Sequence, residues 1–212
     1  MMKGISIFLL LVAVATTSFA EEGKAGQAAV DQNAPIQSKS GIIPPVVTEK
    51  YEYYEACGIC EKDLQCDLKQ KCITLNDGKK YDSITSWKVK WDYGYNNVAS
   101  TCKAESFTVN LEVIFRLPKW VRTDEAPKDL VDKWDTFMRN LLTHEKGHRD
   151  LAIAAAAELV RAVAELPPAP TCAELDKNVQ DMSHMSMKRL NEEQNQYDVT
   201  TNHGQTQGAV FP

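Results

Sequence analysis

The chain has 212 residues, of which 43% are hydrophobic and 25% are charged, and its formal net charge at pH 7 is −5. This length is sufficient for one domain with a substantial hydrophobic core. A mildly acidic chain without clusters of Lys and Arg is not typical of proteins that bind nucleic acid or an anionic membrane surface. We therefore expect one domain whose partner is neither of these.

The N-terminus has the pattern of a cleavable signal peptide, residues 1–20. Lys3 provides a basic start, an apolar run extends from Ile5 to Ala15, and Ser18-Phe19-Ala20 matches a small-x-small cleavage site. We expect cleavage after Ala20 and a periplasmic or secreted protein. The alternative is an N-terminal anchor that is not cleaved.

The rest of the chain divides into a leader and a domain. Residues 21–45 are small, polar and aperiodic, which predicts a flexible leader. Residues 46–212 are expected to form the domain. No stretch after the signal peptide reaches the ~18 apolar residues of a membrane helix, so we expect no membrane span in the mature protein.

All six cysteines lie after the signal peptide: Cys57, Cys60, Cys66, Cys72, Cys102 and Cys172. An even number in an exported chain indicates disulfides. The first four are crowded within sixteen residues and are expected to pair with one another, which leaves Cys102 to pair with Cys172. A structural zinc site is the rival interpretation of the crowded four, although their spacing differs from the paired CxxC of a zinc ribbon.

The first part of the domain predicts a small sheet. The predicted elements, in chain order, are a strand at Val46–Tyr54, a helix at Glu61–Lys71, a turn at Asn76-Asp77-Gly78, and strands at Thr85–Tyr93 and Phe107–Phe115. The last two strands alternate apolar and polar residues, which is typical of an antiparallel sheet with one face in water. Pro118 is expected to end the last strand.

The second part predicts helices. Apolar residues recur with a helical period over roughly 127–166, so we expect one long amphipathic helix or two nearly collinear ones. A second helix begins at the capping box Thr171-x-x-Glu174 and its apolar face continues to Leu190. The tail from Tyr197 onward is polar and aperiodic. The predicted fold class is α+β, with a small antiparallel sheet packed against the two helices.

Two histidines lie one turn apart on the long helix, within His144-Glu145-Lys146-Gly147-His148. Imidazoles spaced by four residues share one face and can bind the same zinc ion, as in the HExxH motif. Zinc lowers the pKa of a bound water to about 7, and a neighbouring glutamate can accept its proton as the water attacks a carbonyl. His144 and His148 are thus predicted zinc ligands and Glu145 the general base, with one zinc ion per chain.

A catalytic zinc site normally has a third protein ligand. An extended metzincin motif would require a histidine at position 154, but this residue is Ala154. His203 is the favoured candidate, because a metal bond would order a tail too polar to be ordered by burial. Asp198 and Glu192 are the alternatives, while His184 is expected on the surface.

Two further tail residues are candidates for roles near the metal. Tyr197 could donate a hydrogen bond to a developing oxyanion. Asp198 could orient a ligand histidine through a hydrogen bond. An ordinary surface turn remains the alternative for both.

Several segments together resemble a bacterial family identified as predicted secreted zinc-dependent proteases, with a domain of otherwise unknown function. The resemblance is carried, over roughly residues 46–212, by Thr85–Trp91, Leu117–Trp120, Trp134, Phe137, Leu141, the HExxH residues 144–148, Thr171-Cys172, Tyr197-Asp198 and residues 201–204. It implies that Cys102 and Cys172 pair and that His203 is functional. The four crowded cysteines are not part of the family pattern.

These observations favour a secreted zinc-dependent hydrolase with a zincin-like fold. The expected activity is that of a metalloprotease acting on a peptide or protein substrate. Alternatives are an amidase that cleaves cell-wall amides and an envelope protein that binds zinc without turnover. A third alternative is an interaction module that is stabilised by disulfides and binds no metal.

Overall fold

The computed structural model of the chain describes residues 43–75, 78–98 and 100–212, and the backbone of residues 6–14. The predicted cleavage site at Ser18-Phe19-Ala20, most of the leader, and the Asn76-Asp77 part of the predicted turn lie outside the described residues. None of the helices in the described part is both long and apolar enough to cross a membrane.

The fold is α+β. The described elements are β1 (Ser6–Val14), β2 (Val46–Ala56), α1 (Glu61–Lys71), β3 (Ile73–Thr74), β4 (Lys80–Tyr81), β5 (Ser83–Val98), β6 (Thr101–Trp120), α2 (Lys128–Ala164), α3 (Cys172–Thr201) and a 3-10 helix (Gln205–Gln207). The main sheet has the strand order β1-β5-β6-β2, and β3 and β4 form a separate pair. The helices α2 and α3 pack against each other, and α2 covers β5 and β6.

The core lies between this sheet and the two long helices. Alternate residues of β5 and β6 point into it, as the sequence pattern predicts for strands with one wet face. The largest fully buried side chains include Trp87 and Trp91 of β5, Phe115 of β6, and Trp134, Phe137 and Leu141 of α2. The apolar stripe of α2 therefore packs onto the apolar face of the sheet, which places its histidines at the interface.

The sheet is mixed, which corrects the prediction of an antiparallel sheet. β6 pairs antiparallel with β5 but parallel with β2. Pro118 also does not end β6, which continues to Trp120. Past Arg116 the strand has no partner in β5, and proline is tolerated where a strand lacks a neighbour on one side.

The predicted helices are confirmed, but the tail is not aperiodic. Thr171 caps α3 by accepting a hydrogen bond from the backbone N–H of Glu174. This helix continues through Tyr197 and Asp198 to Thr201. Beyond it Ala209 is 0% and Phe211 6% exposed, so burial holds a segment that was predicted to need a metal bond.

One of the predicted disulfides is present. Cys102 and Cys172 are bonded, which fits an oxidising compartment. Cys57, Cys60, Cys66 and Cys72 are free thiols, so the predicted pairing among them is absent. Cys60 and Cys72 cap opposite ends of α1, about 18 Å apart at 1.5 Å per residue, whereas a disulfide requires Cα atoms within about 7 Å.

Candidate metal centre

The HExxH residues lie near the middle of α2, on the side facing the sheet and α3. His144 and Glu145 are 0% exposed and His148 is 1% exposed. The two imidazole rings are perpendicular, and their Nε2 atoms are 3.2 Å apart. Two imidazoles thus meet edge to edge in the interior, where an unpartnered polar group is costly.

Asp198 brings a carboxylate to the same point from α3. Its Oδ1 lies 2.9 Å from His148 Nε2 and 3.6 Å from His144 Nε2. We call these three atoms the ligand triad; the residues form the one candidate metal-binding group found in the described part of the chain. Ligands at 2.0–2.1 Å from a tetrahedral zinc ion are about 3.3 Å from one another, so the three spacings fit one such ion.

The tautomer of His148 is fixed by Gln194 of α3. The Gln194 side chain donates from Nε2 to the backbone carbonyl of His148, 2.9 Å away. Since a carbonyl only accepts, the amide orientation is set and its Oε1 faces His148 Nδ1, with which it is hydrogen-bonded. His148 Nδ1 therefore carries a proton, and in the neutral ring Nε2 presents a lone pair to the ligand triad.

Gln207, from the 3-10 helix, holds His144 in the same way. Its Oε1 lies 2.7 Å from His144 Nδ1. Its Nε2 donates to the Tyr197 hydroxyl at 3.0 Å, and that hydroxyl donates to the His144 backbone carbonyl at 3.3 Å. With Gln207 Oε1 facing the ring, His144 Nδ1 is the donor, and Nε2 of the neutral ring presents a lone pair.

The ligand triad therefore gathers lone pairs and negative charge at one buried point. Burial raises the pKa of Asp198, but the neighbouring imidazoles outweigh it and hold the pKa below its usual range. Burial lowers the pKa of His148, but Asp198 and the charge of Glu145 outweigh it and raise the pKa. Asp198 Oδ1 has no hydrogen bond of acceptable geometry in the described residues. Two imidazoles and one carboxylate are a donor set that suits zinc.

Glu145 is outside the ligand triad and is held by β5. Its Oε1 accepts a hydrogen bond from Ser83 Oγ and its Oε2 one from Thr85 Oγ1, each at 2.5 Å. Both hydroxyl residues are 0% exposed. The two hydroxyl groups therefore fix the direction of the Glu145 carboxylate.

Tyr197 packs the site from α3. Its ring stacks on His144 with centroids 5.1 Å apart and meets His148 edge-on at 4.9 Å. The hydroxyl lies over Gly147, where an added Cβ would be 2.1 Å from Oη. The proton of this hydroxyl is used within the protein, so the oxyanion role predicted for Tyr197 stays a prediction, whereas a role in positioning His144 has contacts to support it.

The chain leaves α3 through a turn that returns it to the site. Asn202, His203 and Gly204 have φ values of 47°, 52° and 79°, and three successive left-handed residues reverse the chain direction. A Cβ at Gly204 would lie 3.0 Å from Cγ of His144, so this position requires glycine for both conformation and space. The turn delivers Gln207 to His144.

The predicted site residues are partly brought together. His144, His148 and Asp198 converge, while His203 is not a member of the group, and its role as third ligand stays a prediction. His184 is exposed, as predicted, and so is Glu192, which removes Glu192 from the candidates.

Four residues of the site were not predicted from the sequence: Ser83, Thr85, Gln194 and Gln207. A signal existed for three of them. Ser83 and Thr85 share the alternation that buries Trp87, and Gln194 lies on the stripe of α3 between Leu190 and Asp198. A polar residue on a face that is otherwise buried predicts a buried hydrogen-bond partner.

Comparison with known families adds one match. The family described as a bacterial protein of unknown function (DUF922) matches residues 51–204, more than half of the chain. This chain belongs to the DUF922 family. The DUF922 match includes the whole ligand triad and ends at Gly204, which packs against His144. The family description states no activity. Neither a curated protein nor a solved structure matches the chain.

Proposed function

We propose that this protein is a zinc-dependent hydrolase of amide bonds, most specifically a metalloprotease. The observation that carries the proposal is the ligand triad, whose spacings of 2.9, 3.2 and 3.6 Å fit one tetrahedral zinc ion. Three protein ligands leave one position for water or substrate, which distinguishes catalytic from structural zinc sites. His144, His148 and Asp198 are the proposed ligands.

Zinc, when bound, polarises a carbonyl group and lowers the pKa of a water molecule to about 7. Glu145 is the proposed proton acceptor, because it follows a ligand directly and is not itself a ligand. Ser83 and Thr85 orient its carboxylate, so it can take a proton from the attacking water and return it to the leaving amine. Gln194 and Gln207 keep the Nε2 atoms of the two imidazoles available to the metal.

A second candidate is a protein that binds zinc without turnover, and the burial of the site favours it. No residue of the ligand triad is more than 5% exposed. A hydrolase has to admit its substrate, whereas a structural or storage site is closed. Activity therefore requires some part of the chain to uncover the site.

Metal content and activity, measured on the same variants, test the proposal. Wild type and Glu145→Gln should each carry about one zinc ion per chain, and Asp198→Ala should bind zinc more than about 100-fold more weakly. His203→Ala is the matched control, a neighbouring residue outside the ligand triad, and should retain zinc. Loss of zinc in His203→Ala but not in Asp198→Ala would show that His203, and not Asp198, is the third zinc ligand.

Peptidase and amidase screens then separate the activities. Turnover by the zinc-loaded wild type but not by Glu145→Gln would support the hydrolase, and the preferred substrate would distinguish proteins from cell-wall amides. Zinc binding that raises the melting temperature, without turnover on any substrate, would favour the second candidate. A wild type that binds no zinc would exclude both.

A further inference from the structure

The strand that supplies the Glu145 partners has its outer edge occupied by the N-terminal segment of the chain. β1 pairs antiparallel with β5, from Ser6 opposite Trp91 to Val14 opposite Ser83. Its sequence, SIFLLLVAV, is apolar and lies within the predicted signal peptide. Removal of residues 1–20 would therefore turn β5 into the edge strand of the sheet.

This edge passes beside the catalytic glutamate proposed above. Val12 and Val14 lie opposite Thr85 and Ser83, whose hydroxyls hold the Glu145 carboxylate. Neighbouring strands are about 4.8 Å apart, so a strand on this edge is one strand spacing from the residues that position Glu145. Among the described strands, β2 forms the opposite edge of the sheet, two strands away from Ser83 and Thr85.

An uncovered strand of this length has a strong tendency to acquire a partner. β5 has 16 residues, and β1 covers nine of them, Ser83 to Trp91. Unpaired N–H and C=O groups along a long edge form a template for another extended chain. Peptides bind to such edges through backbone hydrogen bonds, and pockets for alternate side chains then provide specificity.

We propose that, in the cleaved protein, the edge of β5 binds an extended apolar peptide antiparallel to β5, and that this peptide is the substrate. The substrate role rests on the proposed hydrolase function; the binding itself does not. β1 runs from Trp91 towards Ser83, so a peptide in its place approaches Glu145 with its C-terminal end. Recognition is therefore of residues on the N-terminal side of the scissile bond.

The same geometry gives β1 a second role. In the uncleaved chain β1 occupies the peptide-binding edge, and the edge becomes accessible when the segment is removed. Export and exposure of the edge are thereby coupled in one cleavage.

A binding experiment with the segment itself tests the edge. The probe is a labelled peptide of residues 6–14 with flanking lysines for solubility, titrated into Glu145→Gln protein purified after secretion, with EDTA present. Two further peptides carry N-methyl groups on alternate residues, one set on Ile7, Leu9 and Leu11, the other on Phe8, Leu10 and Val12. Only one set of alternate amides faces the partner strand.

The expected result is that the unmodified peptide binds, that one methylated set binds at least about tenfold more weakly, and that the other binds nearly as well. Protein that retains residues 1–20 should not bind. No binding by the unmodified peptide, or equal binding of both methylated sets, would overturn the proposal. Because EDTA removes zinc from every sample, neither outcome depends on whether the protein can bind zinc.

The direction is tested with zinc-loaded protein and a hydroxamate, a zinc-binding group, on either end of the peptide. A C-terminal hydroxamate should increase affinity about tenfold or more in a zinc-dependent manner, and an N-terminal one should not. The opposite preference, or none, would overturn the substrate role while leaving the edge in place. If the protein cannot be loaded with zinc, the hydrolase proposal fails, and binding of a peptide to the edge of β5 is unaffected.

Discussion

Gly147 provides the most direct test of the packing around the ligand triad. In an isolated helix, replacing an interior glycine by alanine stabilises by about 1 kcal/mol. Here the added Cβ would lie 2.1 Å from Tyr197 Oη and 2.3 Å from Cζ, whereas 3.4 Å is an ordinary contact. An overlap of more than 1 Å at two atoms requires the ring to leave its place.

The cost follows from what Tyr197 would lose. Displacement breaks the stack on His144 and the hydrogen bonds to the His144 carbonyl and Gln207. These contacts are together worth about 2–4 kcal/mol. Alanine returns about 1 kcal/mol through helix propensity, so we expect Gly147→Ala to lower the free energy of unfolding by about 1–3 kcal/mol.

Guanidinium unfolding with EDTA, on a double-mutant cycle, isolates this contact. Gly147→Ala should destabilise the wild type but stabilise the Tyr197→Ala variant by about 1 kcal/mol, because the obstacle is gone. This opposite effect of Gly147→Ala on the free energy of unfolding in the two backgrounds identifies the contact between Gly147 and Tyr197. If Gly147→Ala stabilised both backgrounds alike, Tyr197 would not lie over this glycine, and the arrangement of α3 against α2 would be refuted.

Three further predictions concern separate parts of the molecule. Gln194→Leu should weaken zinc binding about 10–100-fold by releasing the His148 ring, and unchanged affinity in a chelator competition would contradict this. Replacing both Cys102 and Cys172 by Ala should cost about 4 kcal/mol in denaturant unfolding, since the disulfide joins residues 70 positions apart; a cost below 1 kcal/mol would refute it. Burial raises the pKa of Asp82 to about 6, above about 3.9 in the unfolded chain. The folded state then holds the proton longer, so stability falls by about 1–3 kcal/mol as the pH rises from about 4 to 6, and Asp82→Asn in EDTA should remove that fall; parallel curves would argue against it.

Local signals in the sequence predict much of this fold. The α1 boundaries, the Thr171 cap and the long helix α2 follow from periodicity and capping residues, which act over a few positions. The two histidines of the site follow from one spacing on one helix. Each of these depends on neighbours along the chain.

Contacts between distant segments were harder to predict. The parallel pairing of β2 with β6 depends on a register that neither strand specifies alone. The end of α3 shows no apolar period in the sequence, because the polar residues Gln194, Asp198 and Thr201 occupy its buried face. The crowded cysteines were expected to pair from their closeness in sequence, but α1 separates Cys60 from Cys72 by its full length.

The third helix is fastened at both ends. Cys172 is its first residue and is bonded to β6, while Asp198 belongs to the ligand triad, about 39 Å away at 1.5 Å per residue. A helix that is held at two distant residues cannot slide along its neighbours or turn about its axis without breaking one of these contacts. The disulfide and the contacts of Asp198 restrict the same motions of α3. Formation of one therefore lowers the entropic cost of forming the other. If the ligand triad binds zinc as proposed, oxidation of the two cysteines and binding of the metal are linked equilibria, although they share no atom.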